Sequence, residues 1–156
     1  MKVFADIAPD NFTIAGCWLE GKDRTNGKDH CDTLQVLGTR EKPVTGLKMV
    51  DTVFFRSANC CGQFTSLKGT LIQNCWFGPL QGRSQVCGSY YATLGACDEA
   101  VIRDSDWNGS FRQDANPKEI TNSFFHKLEK PGEISKDNKI GAITPSAMKI
   151  AVRNAW

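Results

Sequence analysis

The sequence predicts an all-β solenoid in which short parallel strands stack coil upon coil. Three observations predict it: one pattern of residue types recurs five times, Gly, Asp or Asn falls at one fixed place within it, and the intervals between copies are unequal. Internal repeats of this kind indicate supersecondary units that bury their apolar faces only by stacking on one another. The copies are residues 12–19, 47–54, 70–77, 100–107 and 118–125.

Each copy reads as a short strand with an apolar third residue, then a corner residue, a small residue, and a unit ending in an aromatic or leucine. Side chains alternate along a strand, so Ile14, Met49, Ile72, Ile102 and Ile120 form one inward column. Leu19, Phe54, Phe77, Trp107 and Phe125 form a second. Between them Gly16, Asp51, Asn74, Asp104 and Asn122 hold the corner, because these residue types tolerate a left-handed backbone and stacked Asn or Asp side chains can bond to neighbouring turns. The small column is Cys17, Thr52, Cys75, Ser105 and Ser123. The unit ends lie 35, 23, 30 and 18 residues apart, which loops of unequal length explain.

A fainter third sheet aligns Leu34-Gln35-Val36, Phe64-Thr65 and Val86-Cys87, preceded by Asp32, Gly62 and Ser84. In that register Thr33, Gln63 and Gln85 point outward together, and Cys31 stacks on Cys61 as two thiols or a bridge. Seven cysteines are an odd count with no zinc-ligand spacing, so they read mainly as buried small residues. Cys17 and Cys75 stand too far apart in their column for a disulfide.

The chain's 156 residues, 40% hydrophobic and 23% charged, suit a single domain over 1–156, with coils over 6–143 and a C-terminal cap over 144–156. Thr144 as N-cap and Pro145 at the first helical position start a short helix there. Residues 1–10 do not resemble a capping helix, so the first coil leaves sheet edges for another chain or segment to cover, which points to a fragment or an oligomer. A net charge of +2 requires neither nucleic acid nor an anionic membrane as partner. No apolar run approaches the ~20 residues that span a bilayer, and no signal-peptide core is present, so the chain reads as soluble without an export signal.

These strand, corner and aromatic units with unequal loops resemble the right-handed parallel β-helix of the pectate-lyase-like superfamily. His30-Cys31-Asp32-Thr33-Leu34-Gln35 is similar to the His-x-Asp-Gly-Ile-Gln rung of bacterial β-helix proteins described as polysaccharide-active, with Thr33 in place of the usual Gly. The superfamily includes polysaccharide lyases, glycoside hydrolases, uronate epimerases and phage tailspikes, so fold alone leaves the activity open.

His30 and Asp32 stand where a loop meets an outward strand, and a His two residues from a carboxylate can work as an acid–base pair. Asp29 and Asp32 also offer the oxygen donors that calcium takes. The alternative is that Asp32 accepts turn hydrogen bonds and His30 fills the loop. Hydrolysis needs two carboxylates across the scissile bond, and Gly62 and Ser84 beside Asp32 are not acidic, which disfavours a hydrolase. A polyuronate lyase needs a base and a cation for the substrate carboxylate, roles open to His30, Asp32 and Arg83. Gln35, Gln63, Gln85 and Tyr90 then face the polysaccharide, together with Trp18 and Trp76.

Trp18, Val53, Trp76 and Phe124, interrupted by Asp106, form an outward apolar row. It can stack sugar rings, form the interface of a homo-trimer, or lie beneath loops such as 20–29. The competing function is accordingly a non-catalytic oligomeric binding module of the tailspike kind.

Overall fold

Each recurring unit folds as two short parallel-sheet strands joined by a two-residue corner. The computed structural model describes residues 2–4, 10–21, 32–55, 61–77, 92–107, 110–111, 117–125 and 139–140. Strands are numbered in chain order. Sheet 1 contains β2 (Thr13–Ala15), β6 (Lys48–Val50), β9 (Leu71–Gln73), β12 (Val101–Arg103) and β15 (Glu119–Thr121), stacked in that order. Sheet 2 contains β3 (Trp18–Glu20), β7 (Val53–Phe55), β10 (Trp76–Phe77), β13 (Asp106–Trp107), β16 (Phe124–Phe125) and β17 (Lys139–Ile140). Sheet 3 contains β1 (Lys2–Phe4), β4 (Leu34–Leu37), β8 (Gly62–Lys68), β11 (Ala92–Asp98) and β14 (Ser110–Phe111), with β5 (Val44–Thr45) paired to the end of β8.

All strand pairs are parallel. Among the described residues there is no helix, and the chain visits sheets 1, 2 and 3 in turn.

The register of the two expected columns stands as the repeat predicts. Ile14, Met49, Ile72, Ile102 and Ile120 are in register across sheet 1, and all are buried. Leu19, Phe54, Phe77, Trp107 and Phe125 are in register across sheet 2. Phe54 and Phe77 stack with ring centroids 4.4 Å apart and planes 2° from parallel. Phe64 from sheet 3 meets Phe77 edge-on, at 6.0 Å and 85°. The core therefore lies between the sheets, where Leu34, Val36 and Leu67 of sheet 3 join the other two columns.

The corner residues Gly16, Asp51, Asn74, Asp104 and Asn122 all adopt positive φ, from 43° to 61°. The Asn74 amide donates to Asp51 at 2.6 Å, and the Asn122 amide donates to Asp104 at 2.7 Å. The small column does more than save space. Ser105 Oγ accepts the Cys75 N–H at 3.1 Å and donates to the Arg103 carbonyl at 2.7 Å. Ser123 Oγ repeats this for the Ser105 N–H at 3.2 Å and the Thr121 carbonyl at 2.8 Å. A hydroxyl is donor and acceptor at once, so one atom serves two backbone groups that the corner takes out of the sheet ladder.

A second corner, between sheets 3 and 1, was not anticipated. Asn11, Gly46, Gly69 and Glu99 have φ of 60°, 65°, 64° and 58°. Their amides climb the stack, Asn11 to the Thr45 carbonyl, Gly46 to Lys68 and Gly69 to Asp98. The corner residues at 16, 51, 74 and 104 each follow five positions later, so the pattern was present in the sequence but was hidden by a Glu in a left-handed position.

Sheet 3 corrects the expected register. Leu34 pairs with Gly62 and Val36 with Phe64, a shift of two residues from the expected Leu34 over Phe64. The strand after β8 is β11, with Phe64 opposite Leu94. Val86 and Cys87, expected there, lie outside the described residues, as do Cys31 and the expected C-terminal helix. The ladder sets Cys61 level with Thr33 instead of Cys31, and Cys61 is buried and not in a disulfide. At the other end β1 pairs with β4 and forms the end strand of sheet 3, while β2 and β3 are the end strands of sheets 1 and 2 among the described residues.

Candidate functional site

The one sequence-predicted polar cluster that the described residues bring together lies at the start of β4. Asp32 is half-buried there. The Gln35 amide nitrogen donates to an Asp32 carboxylate oxygen and, at 2.8 Å, to the Gln63 side-chain carbonyl on β8. A primary amide has two N–H groups, so both bonds form from one nitrogen. Gln35 is only 7% exposed, between Leu34 and Val36 with no exposure. β4 is thus buried on both faces. This corrects the expectation that Gln35 meets a ligand directly: its amide is committed to holding Asp32 and Gln63 in place. Gln63 is half-buried and keeps its own amide N–H₂ group.

Gln35 and Gln63 belong to a longer row. Register pairs place Lys2, Gln35, Gln63, Thr93 and Ser110 at one level across sheet 3. Five successive strands therefore carry a polar residue at the same step. His30, Asp29, Arg83, Gln85 and Tyr90, the other expected catalytic, calcium-binding and substrate-binding residues, lie outside the described residues. Among the described residues no group of three His, Cys, Asp or Glu side chains converges as metal ligands. Asp32 is the one member of the expected calcium pair that is described.

The apolar row on sheet 2 is in register as expected: Trp18, Val53, Trp76, Asp106 and Phe124 follow one another. Of the alternatives open to it, coverage by the chain itself is the one its middle follows. Val53 and Trp76 have 0% exposure and Trp18 is half-buried, so the chain itself covers the middle of the row. Trp76 offers no surface for stacking a sugar. A trimer contact through Trp18, Val53, Trp76 and Phe124 loses two of its four members to the chain's own interior.

Two other groups have perturbed acid–base properties. The Cys75 thiol is buried in the small column, and loss of solvation pushes its pKa up to about 12, offset in part by backbone hydrogen bonds at Thr52 and Gln73. It is a protonated structural thiol, not a nucleophile. Arg103 and Glu119 form a two-bond ion pair across sheet 1, at 2.6 and 2.8 Å. Hydrogen bonding between them raises the Arg103 pKa and lowers that of Glu119. Both sit in solvent, where such a pair adds little to stability.

The structure adds one feature that the sequence reading missed. At the C-terminal end of the sheet 3 strands, an open cleft of about 340 Å³ is lined by Thr39, Arg40, Pro43, Ser66, Lys68 and Asp98, with Leu67 at its base. Its signal in the sequence was the polar hexapeptide Gly38-Thr39-Arg40-Glu41-Lys42-Pro43 between two strands. No family model, curated protein or solved structure matches this chain.

Proposed function

We propose that the chain is a right-handed parallel β-helix that recognises an acidic polysaccharide along sheet 3. The observation that carries this reading is the in-register run of polar residues Gln63, Thr93 and Ser110 on the successive strands β8, β11 and β14, braced from β4 by the buried Gln35. Neighbouring strands are spaced about 4.8 Å apart, close to the advance of one sugar along an extended glycan, so a row repeated on successive strands suits a polymer of repeating hydroxyls. The buried Gln35 amide supports the reading by fixing the Gln63 rotamer before any ligand arrives, which lowers the entropy cost of binding. The test is titration calorimetry against a panel of acidic and neutral oligosaccharides. Binding to a glycan of the panel, weakened by Gln63→Ala, supports the reading, and no binding to any glycan sinks it.

A second reading, a polyuronate lyase, is favoured by the half-buried Asp32 beside a histidine two residues earlier. In it His30 removes a ring proton, Asp32 orients it, and Arg83 neutralises the substrate carboxylate. Asp29 with Asp32 would hold a calcium ion, which supplies positive charge to that carboxylate. Lyase action creates an unsaturated sugar that absorbs ultraviolet light. Absorbance that grows with wild type and is lost in His30→Ala supports this reading, and a flat trace for wild type on every polyuronate refutes it.

A further inference from the structure

The cleft at the end of sheet 3 is produced by a detour of the chain. β4 pairs with β8 as far as Thr65 and β5 pairs with it from Leu67, while residues 38–43 leave the sheet between them. The partner changes at Ser66, whose φ of 52° is left-handed. Gly38 packs against this bend so closely that a Cβ there would collide with the Ser66 carbonyl oxygen. The Gly38 N–H donates to the Thr65 carbonyl at 2.9 Å. The Lys42 N–H donates to Thr39 Oγ1 at 3.0 Å, closing the detour on itself. The wall of the cleft is therefore held by backbone contacts and by Thr39 Oγ1, and does not depend on the Arg40 and Lys68 side chains that line it.

The lining carries two positive charges, Arg40 and Lys68, and one negative charge, Asp98. Lys68 and Asp98 are opposite one another in the ladder. Among the described residues, neither Arg40 nor Lys68 forms an ion pair. A guanidinium and an ammonium beside a carboxylate suit a ligand with one negative charge and neighbouring hydroxyls. A phosphate dianion would gain from the same cations but would meet the Asp98 charge. The volume of about 340 Å³ is at the lower end of small-ligand sites and fits one or two sugar rings.

We propose that this cleft binds a carboxylate-bearing sugar of the glycan, with Arg40 and Lys68 on the carboxylate and Asp98 accepting from ring hydroxyls. This deepens the function proposed above and rests on it for the ligand class. Arginine is the stronger anchor because its fork can engage both carboxylate oxygens.

The experiment compares a galacturonate oligomer with a neutral galactose oligomer of equal length, by calorimetry, on wild type, Arg40→Gln and Lys68→Gln. Arg40 and Lys68 are exposed, so both variants should keep the wild-type melting temperature. The expected result is binding of the acidic oligomer to wild type at least tenfold tighter than the neutral one, weakened about tenfold by either variant and by added salt. If the acidic oligomer binds wild type and both variants alike, the cleft proposal is overturned while glycan recognition stands. Equal binding of the neutral oligomer also overturns it. If neither oligomer binds wild type and the wider panel is silent too, both readings fail together. Inorganic phosphate that displaces the acidic oligomer at equal concentration would show a general anion site and would count against the sugar assignment.

Discussion

Asn74 and Asp104 stand next to each other in the corner stack, and between them one hydrogen bond is missing. The Asn74 amide nitrogen donates to Asp51, and Asp104 on the other side of Asn74 in the stack accepts from Asn122. Asn74 Oδ1 is buried without a partner. Asp104→Asn should complete the ladder: the new amide donates to Asn74 and still accepts from Asn122, and Asn tolerates the left-handed backbone. The expected gain is about 1 kcal/mol in denaturant unfolding, and a loss would show that the Asp104 charge matters more than the orphaned oxygen. The thiol of Cys75 sets a pH limit. Its folded pKa is raised to about 12 from an ordinary 9.0, so below about pH 9 it is protonated in both states and does not alter stability. As pH rises above that value the unfolded chain loses the proton first, and stability falls until the folded pKa is reached. Cys75→Ser, which puts the Ser105 arrangement at position 75, should remove that part of the alkaline decline in melting temperature. Parallel curves for the two proteins would refute the assignment.

At the scale of the strand, sheets 1 and 2 were legible in the sequence and sheet 3 was legible only in part. Ile14 to Ile120 and Leu19 to Phe125 were readable because each copy repeats several distinctive residue types at once, so the alignment has a single solution. Sheet 3 had alternation alone to guide it. A shift of two residues preserves every inward and outward assignment, so Leu34 over Phe64 and Leu34 over Gly62 satisfy the hydrophobic pattern equally. Volume decides between them. A Cβ at Gly62 would collide with the Phe64 ring, so Gly62 supplies the space in which that ring lies against Phe77. The candidate site suffered from the same limit. The row of Gln35 and Gln63 could not be read until the register was known, and the cleft around Arg40 and Lys68 depends on a detour that no periodicity encodes. The burial of Val53 and Trp76 was one of several alternatives the sequence left open, because alternation tells which side of a strand a residue takes and not what else covers that side.

For the whole molecule, stacking makes stability a matter of neighbours. In sheets 1 and 2 each strand pairs only with the ones before and after it, so a defect in the middle weakens two interfaces and a defect in the last strand weakens one. Ile72→Ala, in the middle of sheet 1, should cost about 2–5 kcal/mol in global unfolding. Ile120→Ala in β15, which pairs with β12 alone in sheet 1, should cost less and should speed hydrogen exchange in β15 before it changes the global transition. Equal effects of the two substitutions would argue for a single cooperative block in place of a stack. The two corners carry a further consequence. Every passage from sheet 1 to sheet 2 uses two residues, 16–17, 51–52, 74–75, 104–105 and 122–123, and three of the five passages from sheet 3 to sheet 1 do the same, 46–47, 69–70 and 99–100, those at 5–12 and 112–118 being longer. All the unequal spacing is confined to those two and to other connections, such as 21–33 and 78–91. The gene is thus divided into two kinds of text: loss of one codon within 69–77 would turn a buried column to solvent, while gain or loss of several codons between β3 and β4 would leave every column where it is. Natural diversity, and any peptide an engineer wishes to display, has its place in those connections.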